Sequence, residues 1–176
     1  NSLHAVSRDS VIRREMLLKK DDRYDQVVLD ETARNMRTRM PLQISIVIFV
    51  AISGSTRDTV KLLVITKDIW SLRLSYDLAI TPGGLENLLI VPQETNLFGW
   101  HHTASTSFQL QPEAYVLGLG YRVPRFGSSW VGAAAAASIT MNRREGKPEG
   151  SAMSLSVGQG LYSTRTAWAW SAEAGY

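Results

Sequence analysis

The sequence contains no cysteine and no long hydrophobic run, and these two absences narrow its class. Without cysteine, disulfide frameworks and thiolate metal sites are excluded. The longest apolar run, residues 44 to 52, is interrupted only by Ser45, and it is about half the length that a helix needs to span a bilayer. Integral contact with a membrane would therefore have to be made by strands.

Glycine and charge are each scarce in one part of the 176-residue chain. The first 68 residues hold only one of the 13 glycines, but 12 of the 19 basic and 9 of the 16 acidic residues. The remainder holds all five tryptophans and few charges. The net charge of +3 therefore comes from the first part, where both signs are interleaved, as on a solvated helical face. We expect two domains, 1 to 68 and 69 to 176, and no nucleic-acid partner.

The first part predicts a small α+β unit. Apolar spacing predicts one helix over residues 11 to 18, capped by Asp9 or Ser10, and a second that begins after Asp25 and ends at Pro41.

Two runs rich in β-branched residues follow, at 42 to 52 and 59 to 66, and they predict a hairpin joined by a polar loop. Within the first run, alternate residues are expected to be core: Ile44, Ile46, Ile48 and Val50.

The second part alternates apolar and polar residues with a period of two, which is typical of half-buried strands. The alanine-rich segment around residues 133 to 137 would also suit a helix, but its neighbours favour a strand. We predict seven strands: 71 to 80, 85 to 95, 101 to 111, 114 to 122, 129 to 142, 151 to 162 and 165 to 176.

Strand length and composition favour a transmembrane barrel over a soluble β-sandwich. Strands of ten or more residues, tilted, match the apolar band of an outer-membrane barrel, and the faces opposite the apolar ones are small and polar. Tryptophans fall near the strand ends, where an aromatic girdle would lie. The predicted girdle consists of Trp70, Trp100, Trp130, Trp168 and Trp170. A soluble α+β unit followed by a ligand-binding sandwich remains an alternative.

Several segments resemble a known family. Residues 11 to 17, 24 to 25, 29 to 37 and 60 to 70 resemble a POTRA domain passing into its barrel. Residues 94 to 99 and 121 to 128 resemble the turns of the first barrel hairpins in the BamA/TamA-type outer-membrane assembly superfamily. The residues that match its turn motifs are Asn96, Leu97, Phe98, Gly99, Tyr121, Arg122 and Pro124.

The resemblance implies a POTRA-like periplasmic domain followed by a partial barrel. A POTRA domain begins with a strand, of which only residues 1 to 6 would remain here, so that strand is expected to be truncated. The family's barrel has many more than seven strands. Both departures predict a fragment, or a barrel completed by a partner.

The function that the resemblance implies is assembly and insertion of outer-membrane proteins in a bacterial outer membrane. Its partners would be lipid, unfolded client proteins and accessory assembly subunits. The alternative is a polypeptide-translocating or surface barrel protein whose periplasmic domain is merely structural.

Assembly would proceed by strand addition at open sheet edges. The candidate docking edge of the POTRA sheet is Gln43, Ile44, Ser45, Ile46, Val47, Ile48, Phe49 and Val50. The candidate barrel seam is Leu72, Arg73, Leu74, Ser75, Tyr76, Asp77 and Leu78.

The sequence contains no constellation typical of catalysis. His101 and His102 are expected on opposite faces of a strand, without a third ligand nearby, so a metal site is not expected. No phosphate-binding glycine loop or nucleophile elbow occurs. We therefore expect neither enzymatic activity nor a cofactor.

Overall fold

The computed structural model describes residues 5 to 40, 43 to 54 and 59 to 176, which form two compact units. The first unit comprises the chain up to Ser71 together with Phe98–His101, and the second comprises Leu72–Leu97 and His102–Tyr176. The division therefore falls slightly later than the predicted boundary at residue 68. The assignment of a short turn from the second part to the first unit was not predicted.

The first unit contains two helices and one hairpin. The helices are α1, Asp9–Arg14, and α2, Gln26–Arg39; the strands are β1, Ile44–Ser53, and β2, Val60–Asp68, paired antiparallel. The helical, helical, strand, strand order agrees with the predicted α+β unit. Most of the expected first strand (residues 1 to 4), the helix terminator Pro41 and most of the hairpin loop (residues 55 to 58) lie outside the described residues.

The two helix starts differ in how well the sequence predicted them. At α2 the Asp25 carboxylate accepts hydrogen bonds from the Val27 and Val28 N–H groups, at 2.9 and 3.4 Å, which confirms the predicted cap. At α1 the prediction was wrong, because Arg8 occupies the N-cap position and provides no side-chain cap. This helix also ends at Arg14, well before residue 18. At its end the Glu15 N–H donates a hydrogen bond to the Ile12 carbonyl, three residues back.

The core of the first unit lies between α2 and β1. Its buried apolar members are Ala33, Met36, Met40, Ile44 and Val47, with Ile12, Met16 and Phe49 packed against them.

A β-bulge between Ile44 and Ile46 reverses the expected faces of β1. The extra residue shifts the register, so Val47 rather than Ile46 points into the core. Ile44 is buried as expected, but the expectation that Ile46, Ile48 and Val50 are core was wrong. These three side chains are 41, 48 and 38% exposed.

The second unit is a single seven-stranded antiparallel sheet in sequence order. Its strands are β3 Leu72–Thr81, β4 Gly84–Leu97, β5 His102–Leu110, β6 Ala114–Val123, β7 Gly132–Asn142, β8 Pro148–Gln159 and β9 Trp170–Gly175. This confirms the seven predicted strands, including the alanine-rich one. The described residues of the second unit form one sheet rather than the two facing sheets of a sandwich, and this sheet is open, with β3 and β9 at its edges.

The start of β9 was predicted too early. The chain from residue 160 to 169 forms a loop, with a turn in which the Thr166 N–H bonds the Ser163 carbonyl at 2.9 Å. Among the described helices, none is long and apolar enough to cross a membrane.

Candidate membrane-facing sheet and strand edges

One face of the seven-stranded sheet is apolar from edge to edge. In β3 the side chains of Leu74, Tyr76 and Ile80 are 64, 76 and 69% exposed, and Leu119 in β6 is 66% exposed. Cross-strand partners keep the same character, as in the pair Tyr76 and Ile90. Exposed apolar surface on this scale marks contact with a membrane or another protein. Its further members include Leu72, Leu78, Phe108, Leu117, Ile139, Met153, Leu155 and Val157.

The opposite face carries small and polar side chains. Two rows of small residues cross four strands, and their members are Ser105, Gly120, Ala136 and Ser154 in one row and Ser107, Gly118, Ser138 and Ala152 in the other. At Gly118 an added Cβ would collide with the Ser107 hydroxyl, so the second row is closely fitted. The two faces therefore suit different surroundings, one apolar and one aqueous.

A polar ladder continues this face onto the first three strands of the sheet. The Gln109 side-chain amide donates to the Asn87 side-chain oxygen, and the Asn87 amide donates to the Asp77 carboxylate, each at 2.9 Å. The ladder links β3, β4 and β5. Asp77, one of the predicted seam residues, is thus held by a neighbouring strand.

The two predicted docking stretches both lie on edge strands. Within the described residues β1 pairs with β2 alone and β3 pairs with β4 alone. Along its other side, each of β1 and β3 therefore has a row of backbone N–H and C=O groups that no other described strand pairs with. Gln43 differs from the rest of its stretch, because it is buried and its carbonyl accepts from the Ile69 N–H at 3.0 Å. Ile44 is also buried, and its N–H donates to the Met40 carbonyl at 3.1 Å, so the edge available at β1 begins at Ser45.

The turn between β4 and β5 has an unusual backbone. Phe98, Gly99 and His101 all have positive φ, at 54, 77 and 60°. Asn96, which matches a turn motif of the resembled family, is a fully buried residue of β4 rather than part of the turn. Left-handed conformations in Phe and His are unfavourable, so their surroundings must hold them in place.

Hydrogen bonds within the first unit fix this turn. The Arg8 N–H donates to the Gly99 carbonyl at 3.1 Å, and the Arg8 guanidinium donates to the Phe98 carbonyl at 3.0 Å. The same guanidinium lies 4.4 Å from the centre of the Trp100 ring. A side chain on Gly99 would collide with the Val6 carbonyl, so the close approach requires glycine.

Arg14 reaches the same turn from the end of α1. Its guanidinium donates to the Trp100 carbonyl at 3.4 Å and lies 3.6 Å from the Glu15 carboxylate. Burial lowers the pKa of Arg14 from its usual value, and the Glu15 carboxylate opposes this shift.

His101 is the buried centre of the turn, at 2% exposure. Its Nε2 lies 2.5 Å from the Ser7 hydroxyl, and its Nδ1 lies 2.8 Å from the Met40 sulfur. The Ser7 hydroxyl donates in turn to the Asp68 carboxylate at 2.7 Å.

The order of these groups is carboxylate, hydroxyl, imidazole. A hydrolytic relay requires the imidazole in the middle, so the chemistry supported here is structural hydrogen bonding. No group of three His, Cys, Asp or Glu side chains able to hold a metal occurs among the described residues.

The connection between β6 and β7 is built around a stacked triplet. The Arg125 guanidinium lies 3.6 Å from the centre of the Trp130 ring, and Trp130 stacks on Tyr162 with 4.3 Å between ring centres. Arg125 also donates to the Ser129 and Ser128 carbonyls, at 2.5 and 2.9 Å. The connection is therefore fastened to the loop that follows β8.

The other residues of the predicted turn motif lie at the end of β6. Tyr121 belongs to the apolar face, where its hydroxyl bonds His102 Nδ1 at 2.7 Å. Arg122 is exposed on the opposite face. The carbonyl of Pro124 closely approaches Gly132 at the start of β7.

All five tryptophans adjoin the same end of the sheet in chain order. Trp70 precedes β3, Trp100 lies in the turn between β4 and β5, and Trp130 precedes β7. Trp168 and Trp170 lie at the start of β9 and are 78 and 48% exposed. Their role as a lipid-contacting girdle stays a prediction, and the stacking of Trp130 gives that residue a packing role as well.

Sequence reasoning missed the side chains that hold the turns. Ser7 and Asp68 carry no local pattern, and His101 was expected on one face of a strand, whereas it lies in a turn and is buried in the first unit. The contact of Arg125 could have been predicted, because an arginine five residues before a tryptophan in a turn can stack on its ring. Tyr162 could be found only from the structure.

Known proteins resemble this chain in structure and not in sequence. No protein-family model and no curated protein match the sequence. A similar solved structure is that of BamA from Haemophilus ducreyi lacking POTRA domains 1-3, with a TM-score of 0.68 and 13% sequence identity. The match covers 87% of this chain and 29% of that one, so the chain spans less than a third of that BamA chain. The fold of this chain is therefore similar to that of a BamA barrel.

Proposed function

We propose that this chain comprises a periplasmic domain and the N-terminal part of the barrel of a bacterial outer-membrane protein, which assembles and inserts other outer-membrane proteins. The first unit is the POTRA-like periplasmic domain, and the second unit provides the first strands of the barrel. Unfolded client proteins are the substrates, and no cofactor is needed.

The observation that carries this proposal is the two-faced seven-stranded sheet in a BamA-like fold. Its apolar face suits lipid, and its small, polar face suits a wet lumen. An open sheet edge in hydrocarbon leaves backbone groups unpaired at several kcal/mol each, so the barrel needs further strands to close. The further strands would pair with the open edges of β3 and β9.

Strand addition supplies the mechanism. The outward edges of β1 and β3 present backbone N–H and C=O groups in the spacing that an incoming strand requires. An unfolded client strand pairs with such an edge regardless of its side chains, which gives affinity without strict sequence specificity.

Insertion in a bilayer is tested by arginine substitutions on adjacent residues of β3. Tyr76→Arg places a charge on the apolar face and is expected to destabilise the protein folded in vesicles by about 2 to 4 kcal/mol. Ser75→Arg, on the opposite face at the same depth, is the matched control and is expected to cost little. Equal effects in urea titrations would contradict the membrane assignment of the apolar face.

Assembly activity is tested by photo-crosslinking to an unfolded outer-membrane protein. A photoreactive residue at Ser45 or Ser75, on the two edge strands, is expected to capture the client, whereas one at Ser138, on the fully paired β7, is not. A chain that inserts in membranes but captures no client at either edge would refute assembly and favour the alternative, a translocating or surface barrel protein.

A further inference from the structure

The hairpin of the first unit carries a second exposed apolar surface, separate from the sheet. Alternate side chains of both strands point away from the core, and the bulge determines which side chains of β1 do so. This surface, here called the isoleucine face, consists of Ile46, Ile48, Val50, Ile52, Leu63 and Ile65. Each of these side chains is between 38 and 48% exposed.

Register makes the isoleucine face continuous. Ile48 lies opposite Ile65, and Val50 lies opposite Leu63, so the two strands form one apolar strip. Five exposed β-branched side chains on one face would be unusual in a domain surrounded by water alone. The face is therefore a contact surface.

Charge at the two ends of the strip indicates what it contacts. Lys61 lies opposite Ile52, and Lys67 lies opposite Ile46, so an exposed lysine closes each end. They are separated by about 20 Å along the strand. No acidic residue occupies any paired position of this face. A lysine can lay its apolar stem along such a strip and direct its ammonium group to an anionic partner.

Trp70 adds a third element of the same chemistry. It follows β2 within the first unit and is 53% exposed. Tryptophan and lysine are both residue types that settle at a membrane–water interface. An unfolded polypeptide, in contrast, is captured through strand edges and has no need of this face or of its cations.

We propose that the isoleucine face docks on the surface of an anionic phospholipid leaflet, with Lys61 and Lys67 bound to headgroup phosphates. The contact would hold the first unit against the membrane into which the sheet inserts, and in this respect it rests on the proposed function. It differs from client capture because it uses side chains of the hairpin face and leaves the β1 edge open.

The absence of cysteine allows a clean test with single-cysteine variants of the full chain in vesicles. An environment-sensitive dye is attached at Ile48→Cys, at Tyr76→Cys on the sheet, or at Arg37→Cys on the exposed side of α2. Quenchers are attached to lipid in vesicles of phosphatidylcholine alone or of phosphatidylcholine with phosphatidylglycerol.

Quenching at Ile48 in the anionic vesicles is the expected result, with none at Arg37. The pair Lys61→Glu and Lys67→Glu is expected to abolish quenching at Ile48 and leave Tyr76 quenched. No quenching at Ile48 while Tyr76 is quenched overturns this proposal alone, and no quenching at Tyr76 overturns sheet insertion.

Two further outcomes would also overturn the lipid proposal. Equal quenching at Ile48 in both kinds of vesicle would show apolar contact that needs no anionic headgroup. A dye at Ile48 that is shielded only when an unfolded client is added would assign the face to polypeptide.

Discussion

The stacked triplet after β6 yields a quantitative prediction, because its cation, Arg125, is only 4% exposed. Arg125→Ala removes two charge-assisted hydrogen bonds, to Ser128 and Ser129, and the stacking on Trp130. Such hydrogen bonds contribute about 1.5 to 3 kcal/mol each and a cation–π contact about 0.5 to 2. Contributions within one cluster do not add fully. We expect the free energy of unfolding to fall by about 3 kcal/mol.

Urea titration of the protein folded in detergent, followed by circular dichroism, measures this change. Arg125→Lys keeps the charge but not the planar fork, so it is expected to recover little of the loss. A double-mutant cycle with Trp130→Leu isolates the stacking contribution. Two results would refute the reasoning: Arg125→Ala within about 0.5 kcal/mol of the parent protein, or an Arg125→Ala effect that Trp130→Leu leaves unchanged.

Three further predictions concern the two units. His101→Ala is expected to destabilise the first unit by about 1 to 3 kcal/mol in hydrogen exchange, whereas His102→Ala, less buried, costs less. Gly132→Ala is expected to cost about 1 to 3 kcal/mol in urea titration, because its Cβ meets backbone carbonyls, whereas at Gly150 the space is open and the same change is tolerated. Asp25→Ala is expected to cost about 1 kcal/mol of stability through the lost cap of α2, and Asp25→Asn to keep most of it. Equal effects within either matched pair, or a silent Asp25→Ala, would contradict the corresponding contact.

Period-two alternation made most of the sheet predictable from sequence. In β3 the residues between Leu72 and Ile80 alternate strictly between apolar and other side chains. That pattern predicts the strand, the face on which each side chain lies and the pairing with the next strand. The alanine-rich β7 was decided by its context, since strands on both sides leave no place for a helix. The loop before β9 was missed because Trp168 and Trp170 continue the alternation backward beyond the strand.

The turn contacts were not predictable, because they join residues far apart in the chain. His101 meets Ser7 across 94 positions and Met40 across 61. Its neighbour His102 has the same residue type and lies in a strand, so sequence gives no reason to bury one and not the other. Only the left-handed backbone of the turn, which a sequence does not display for Phe or His, distinguishes them.

The bulge in β1 also determines how the hairpin responds to insertions and deletions. Both alternating sets of β1 side chains are largely apolar, so hydrophobicity alone fixes the pairing register weakly. Deletion of Ser45 would remove the extra residue and leave Ile44 paired with Asp68 and Ile46 paired with Lys67, so the two sets would keep their faces. The hairpin would still bury Val47 against α2, and the surface that it presents would stay the same. The outward set therefore depends on Ser45 staying outside the ladder, because its incorporation would shift the register by one residue and turn Ile46 and Ile48 inward.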